Sequence, residues 1–147
     1  MFVGNFVLVR WMLGFGVIGQ TLIPDLVYFR PAFNRGVSFS LFAQSSDTGR
    51  YLLIAVLAAI SIAVAAMAWR ASSHLAAAGF GLILGGALGN LWDRVAYYGA
   101  VFDFLSVHFG NLSLFVCNFA DVAISAGVGA LILDSLLQKP GARDFAD

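Results

Sequence analysis

The sequence predicts an all-α membrane protein: four transmembrane helices with a small β lobe at one membrane face. Three observations predict it. Of the 147 residues, 61% are hydrophobic and 11% charged, whereas a soluble domain is about 45–50% apolar and about 25% charged. Four stretches are apolar over the about 20 residues that a membrane helix requires. The longest polar interval, residues 24–50, carries an alternating pattern instead of a helical one. The length suits one domain over residues 1–147. A formal net charge of zero leaves no basic field for nucleic acid. The single Cys117 excludes an internal disulfide and reads as an apolar filler.

The first predicted span is Phe2–Ile23, interrupted by Arg10, a side chain able to snorkel to the interface. A cleavable signal peptide competes with this reading, but no small-x-small cleavage site follows the apolar run. The lobe over residues 24–50 contains Pro24, Pro31, Gly36 and Gly49, and Val37, Phe39 and Leu41 alternate there with Ser38 and Ser40. That alternation predicts a short strand or hairpin. Ser45-Ser46-Asp47 offers caps for the second span, Tyr51–Trp69, which carries no charge. The short Arg70–His74 link makes this span an antiparallel neighbour of the third, Leu75–Trp92. Gly81, Gly85 and Gly89 recur every four residues and predict the face on which another helix packs. The fourth span is Leu112–Leu133, where Asn118, Asp121, Ser125 and Gly129 fall on one face expected to point at protein. An even number of spans puts both termini on one side. Arg10, Arg70, Lys139 and Arg143 then balance Arg30, Arg35, Arg50 and Arg94, and charge gives no orientation.

The stretch 85–121 breaks the apolar composition with Asn90, Asp93, Arg94, Asp103, Asn118 and Asp121. A charge near the centre of a spanning helix costs about 2.5–3.5 kcal/mol, so such groups pair, line a wet cavity or do chemistry. Asp103 is expected in the link after the third span and Asp121 about two turns into the fourth. If the link folds back, the carboxylates meet at one membrane face and titrate as a unit. One then activates water while the other protonates the scissile carbonyl, which is aspartic-protease chemistry. Two other readings stay open on spacing alone. Asp103 could pair with Arg94 and Asp121 with Asn118 or a helix end. The cluster could also bind a proton or cation in a transport or binding protein. Asp93 and Arg94 read as an interfacial ion pair. His74 and His108 stand apart and read as interfacial residues. No metal-ligand spacing, P-loop or dinucleotide fingerprint is present, so neither metal nor cofactor is expected.

Four segments together resemble the bacterial lipoprotein signal peptidases, the type II signal peptidases. Asn34-Arg35-Gly36-Val37-Ser38-Phe39 is similar to an Asn-x-Gly-x-small-Phe motif, and Gly89-Asn90-Leu91-Trp92-Asp93-Arg94 to Gly-Asn-x-x-Asp-Arg. Val101-Phe102-Asp103-Phe104 resembles Val-x-Asp-Phe, and Asn118-Phe119-Ala120-Asp121 resembles Asn-x-Ala-Asp. The resemblance implies Asp103 and Asp121 as the catalytic pair, with Asn34, Gly36, Asn90, Arg94 and Asn118 binding substrate or bracing the site. It implies a monomeric, multi-pass protease of the bacterial inner membrane, its termini cytoplasmic and its β lobe and site at the outer leaflet. The implied partners are membrane lipid and diacylated prolipoproteins, cut before the lipidated cysteine. The first helix departs from the family's Asp-Gln-x-x-Lys: in Gly19-Gln20-Thr21-Leu22-Ile23 only Gln20 matches.

Overall fold

The computed structural model describes residues 20–34 and 47–138, with Gly14. Strands β1 (Thr21–Ile23) and β2 (Val27–Asn34) come first, then helices α1 (Asp47–Trp69) and α2 (His74–Ala96). Strands β3 (Val101–Phe109) and β4 (Leu112–Cys117) and helix α3 (Phe119–Leu137) follow. The strands form one antiparallel sheet in the order β1-β2-β3-β4. Among the described residues three helices, α1 to α3, are long and apolar enough to cross a membrane. Their large side chains stay outward, as at Ile62, Trp69, Ile132 and Leu136. That inversion of the soluble pattern suits a lipid surround.

The sheet differs from its prediction in origin. Half of it comes from the segment between the second and third described helices. Residues 112–117, read as the start of a span, form β4. An apolar run of six residues does not distinguish strand from helix by periodicity, and Val116 and Phe115 suit a strand. Thr21–Ile23, read as the end of the first span, is β1; the rest of that span and the alternating run after Asn34, Gly36 included, lie outside the described residues. Turn chemistry fixes both hairpins. Ile23-Pro24-Asp25-Leu26 closes with Leu26 N–H donating to the Ile23 carbonyl at 3.1 Å, and Asp25 has φ 60. Proline followed by a positive φ is the type II pattern. Gly110, at φ 58, opens the two-residue turn that pairs Phe109 with Leu112.

The register of β2 on β3 slips by one residue between Phe29 and Ala32. Pro31 lies inside that bulge, where a residue without an N–H does not break the ladder. Beyond it Ala32 stands opposite Asp103 and Asn34 opposite Val101, so Asn34 is a diagonal, same-face neighbour of the aspartate. Phe29, Phe102 and Phe104 form the buried core, with Tyr97 and Leu105 packed against it. The Phe104 ring meets Phe119 of α3 edge-on at 5.1 Å. The core thus lies where the sheet joins the helices.

Helices α2 and α3 approach closely, though not on the predicted glycine face. A methyl group on Gly79 would meet Leu131 and the Gly127 carbonyl, and one on Gly127 would press on the Gly79 carbonyl. One on Gly86 would strike the Ala120 carbonyl. Gly81 instead faces open space, and Gly89 makes an ordinary 3.4 Å approach to Ala120. Ser125 and Gly129 are exposed on α3, so the face expected to point at protein does not do so along its length. Residues seven apart, at 79 and 86, set this seam; a four-residue repeat drifts around the helix.

A second tie joins the far ends of the same helices. Ser73 caps α2 by accepting from Ala76 N–H at 2.9 Å, and its hydroxyl donates to Asp134 at 2.5 Å. Gln138 donates to the other Asp134 oxygen at 2.6 Å. Asp134 is buried, so both its oxygens are satisfied without an opposite charge.

Two stability outcomes are expected. Gly127→Ala should destabilise the protein by about 1–3 kcal/mol through overpacking, while Gly129→Ala should be neutral or stabilising by up to about 1 kcal/mol. Thermal unfolding in detergent micelles reads both, and equal effects would refute the seam. Ser73→Ala should cost about 1–3 kcal/mol, because it removes a helix cap and strands a buried carboxylate oxygen; an unchanged melting temperature would refute that tie.

Candidate active site

The site is built on the first turn of α3. Asn118 is its N-cap, with extended backbone dihedrals, and its side-chain oxygen accepts from Ala120 N–H at 2.7 Å and Asp121 N–H at 3.2 Å. Asp121 returns the bond: its Oδ2 accepts from Asn118 N–H at 3.0 Å. This reciprocal cap satisfies helix amides that have no partner within the helix. Asp121 therefore lies in the first turn of α3, not two turns in as its predicted span implied. The correction follows from β4, which delays the helix start to Phe119.

Two backbone amides hold the Asn118 oxygen, so its amide nitrogen must point the other way. It donates to Asp103 Oδ1 at 2.9 Å and to Asn90 Oδ1 at 3.0 Å. Asn90, in turn, donates to Asp121 Oδ1 at 2.8 Å, and Asn34 donates to Asp103 Oδ2 at 2.9 Å. One connected network thus holds both aspartates through three asparagines from β2, α2 and the start of α3. Asp103 and Asn118 are almost wholly buried, at 1% and 0% exposure. Asp103 lies within strand β3, not in a loop. Burial pushes its carboxyl above the usual carboxylate range. The Asn34 hydrogen bond opposes that shift, the Asp121 charge adds to it, and Asn118 and Arg94 lower it again.

Arg94 closes the site from the last turn of α2. Its Nη1 donates to the Asn90 carbonyl at 3.1 Å. Among the described residues it forms no ion pair within 4.0 Å, although Asp103, Asp121 and Asp93 all attract it. Its Nε is buried without a hydrogen-bond partner. The expected Asp93–Arg94 ion pair is thus absent among the described residues. Asp93 is buried and accepts from the Phe102 amide at 3.2 Å. Adjacent helix residues diverge by about 100° around the axis, and 3.6 residues per turn sends Asp93 toward β3.

A cavity of about 390 Å³ opens beside Asp121. Val107, Phe115, Cys117, Val122 and Ala126 wall it, and Ser125 adds a hydroxyl. Cys117 was read as a filler and proves to line this cavity. Burial, with the charges of Asp121 and Asp103, pushes its thiol up, which makes it a poor nucleophile. Its place could not be read from sequence, because the strand that carries it resembled a helix. His108 shares a 2.8 Å hydrogen bond with Ser106 and packs edge-on against Tyr28. Among the described residues, no three His, Cys, Asp or Glu side chains are grouped to hold a metal ion.

The network brings together Asn34, Asn90, Asp103, Asn118 and Asp121, with Arg94 at its edge. The structural and catalytic readings of Asp121 do not exclude each other, since one of its oxygens caps the helix and the other faces Asn90. The remaining lone pairs of a doubly bonded carboxylate can still meet water.

Comparison with known proteins shows the family. The family model described as signal peptidase (SPase) II matches residues 5–137. A lipoprotein signal peptidase of Methylorubrum extorquens (strain PA1) is 54% identical over 114 residues, which are 78% of this chain and 66% of that protein. One of Methylobacterium radiotolerans is 53% identical over 118 residues, 80% of this chain and 68% of that protein. Another, of Rhodopseudomonas palustris (strain ATCC BAA-98 / CGA009), is 41% identical over 140 residues, 90% of this chain and 85% of that protein. The match to the first of these spans about two thirds of that relative's own length. A bacterial membrane enzyme solved by the in meso method at 1.9 Å has the same fold, with a TM-score of 0.65 at 21% identity over 94% of this chain and 96% of that one. Given a family match that runs from the first apolar stretch to the end of α3, and relatives more than half identical, the chain belongs to the signal peptidase II family.

Proposed function

We propose that this protein is a membrane aspartic endopeptidase that removes the signal peptide from diacylglyceryl-modified prolipoproteins, cutting before the lipidated cysteine. The observation that carries the proposal is the carboxylate pair, Asp103 buried and Asp121 partly so, joined through Asn118. Its relatives bear the name lipoprotein signal peptidase, which favours this over the transport reading. In the proposed reaction Asp103 holds the shared proton, because burial favours its neutral form. Asp121 takes a proton from water as the water oxygen attacks the scissile carbonyl carbon, and Asp103 gives its proton to the carbonyl oxygen. Collapse of the tetrahedral species breaks the C–N bond. The leaving amine takes the proton from Asp121, and the hydroxyl returns one to Asp103. The buried Arg94 Nε supports a substrate-binding role, since a donor left unpaired in a buried place costs about 1–3 kcal/mol and a substrate carbonyl would satisfy it. The apolar cavity beside Asp121 suits the apolar portion of such a substrate.

In the same reading the chain is one domain, working as a monomer in contact with lipid. The apolar stretch before Gln20 supplies a fourth span. Both termini are cytoplasmic in the bacterial inner membrane, and the sheet and dyad sit at the outer leaflet. Gly36 braces the site from the segment that follows Asn34.

Asp103→Asn and Asp121→Asn should each abolish cleavage of a diacylated prolipoprotein while the protein stays folded, since an amide keeps the shape but does not exchange the proton. A gel shift on release of the signal peptide measures this, and near-normal cleavage by either variant would refute the pair. EDTA should leave the rate unchanged. Asn34→Leu should move the high-pH limb of the rate profile upward, because the lost hydrogen bond favoured ionised Asp103. A limb that stays in place or moves down would refute the role given to Asn34.

A further inference from the structure

We infer that Asp93 is a positioning residue for this reaction: its buried carboxylate holds the Phe102 amide and so fixes where β3 delivers Asp103. The inference rests on the peptidase reading above. Asp93 is 5% exposed, and its Oδ2 accepts from Phe102 N–H at 3.2 Å. That amide belongs to the residue just before Asp103. Strand β4 pairs with β3 from Leu105 onward, and its register leaves 101–104 without a β4 partner. Asp93 takes the Phe102 amide on this stretch, as Asn118 takes the Asp103 carboxylate.

The chain between the two aspartates is held on both sides of this bond. Tyr97 N–H donates to the Asp93 carbonyl at 2.7 Å, and Gly99 N–H reaches back to the Arg94 carbonyl at 2.6 Å. Tyr98 and Gly99 have φ 52 and 93, so the backbone reverses within a few residues of the helix end. Such a 6→1 bond with a left-handed residue before it ends a helix tightly. It leaves β3 little slack, and the Asp93 bond sets the remainder. Asn34 and Asn118 grip Asp103 from two elements at 2.9 Å each. A displacement of Phe102 would pull the carboxylate off one or both of them. The charges that face Asp93 are Arg94 and Asp121, with the Tyr97 hydroxyl also within electrostatic reach. A charge role through these groups is the competing account, and it makes a different prediction for the amide variant.

The test is steady-state cleavage of a diacylated prolipoprotein across pH by the purified full chain in detergent, with the folded fraction measured separately. Asp93→Ala should lower kcat per folded molecule by on the order of 10- to 100-fold, the cost of a misplacement near 1 Å, with little change in KM. Its high-pH limb should also move upward as Asp103 loses its donors. Asp93→Asn keeps an acceptor oxygen and should restore most of the lost kcat and the wild-type limb. Asp93→Asn as impaired as Asp93→Ala would overturn the inference in favour of a charge role. Asp93→Ala with a wild-type kcat and profile per folded molecule would overturn it in favour of a purely structural one. Asp103→Asn serves as the control. If it is inactive while Asp93→Ala behaves as wild type, this inference alone fails; if it cleaves normally, the dyad reading fails first.

Discussion

Everything at this site depends on which way one buried amide points. Asn118 has a single acceptor oxygen, and the opening amides of α3 claim it. Its two donor hydrogens are then committed to Asp103 and Asn90. A hydrogen bond in such a place contributes about 0.5–1.5 kcal/mol, and a buried group left unmet costs about 1–3 kcal/mol. Reversing the amide would lose bonds on both sides at once. The helix cap therefore selects the orientation, and the orientation selects the positions of the acids. A carboxylate at position 118 would remove both bonds donated to Asp103 and Asn90.

The glycine seam makes that network reachable. Asn90 has a short side chain, yet it bonds Asp121 and Asn118 across the helix pair. It reaches them because Gly86 lets the backbone of α2 come up against Ala120, one residue before Asp121. At the other end, Gly79 and Gly127 allow the same approach, and Ser73 with Asp134 pins it. In lipid, apolar burial between helices gains little, because the tails are as apolar as the side chains. Close backbone packing and polar ties carry the association instead. The outward apolar side chains of α1 to α3 fit the same account.

The acids survive in an apolar chain by sharing neutral donors. Asp103 takes two amide hydrogens, Asp121 one side-chain and one backbone hydrogen, and Asp134 a hydroxyl and an amide hydrogen. None of these three is paired with an opposite charge within 4.0 Å among the described residues. A directly bonded arginine would hold a carboxylate ionised. Amide donors support the anion more weakly and leave a proton free to come and go. Arg94 stands near enough to attract the acids while it bonds a carbonyl.

The sequence by itself determined the membrane character and the second and third predicted spans, and its motifs held the polar residues that the fold draws into one network. Apolar runs of spanning length are local and dense, and the motifs around Asn90, Asp103 and Asn118 keep their order whatever the fold. The spacing of Asn118 and Asp121 already carried the cap, because three residues separate the partners of a reciprocal helix cap. Tertiary structure alone decided the rest. Strand β4 looked like the start of a helix, since a short apolar run fits either form and only pairing with β3 settles it. Asn34 reached Asp103 through a register slip at Pro31, which no local pattern announces. Gly79 and Gly86 made the tightest approach to the partner helix, while Gly81 of the tidier repeat faced open space and Gly89 made ordinary contact, because the crossing of two helices picks the contact face. Asp93 turned from its sequence neighbour Arg94 to an amide nine residues on. Adjacency along a chain is not adjacency in space, and a buried carboxylate bonds the donor that the fold places before it.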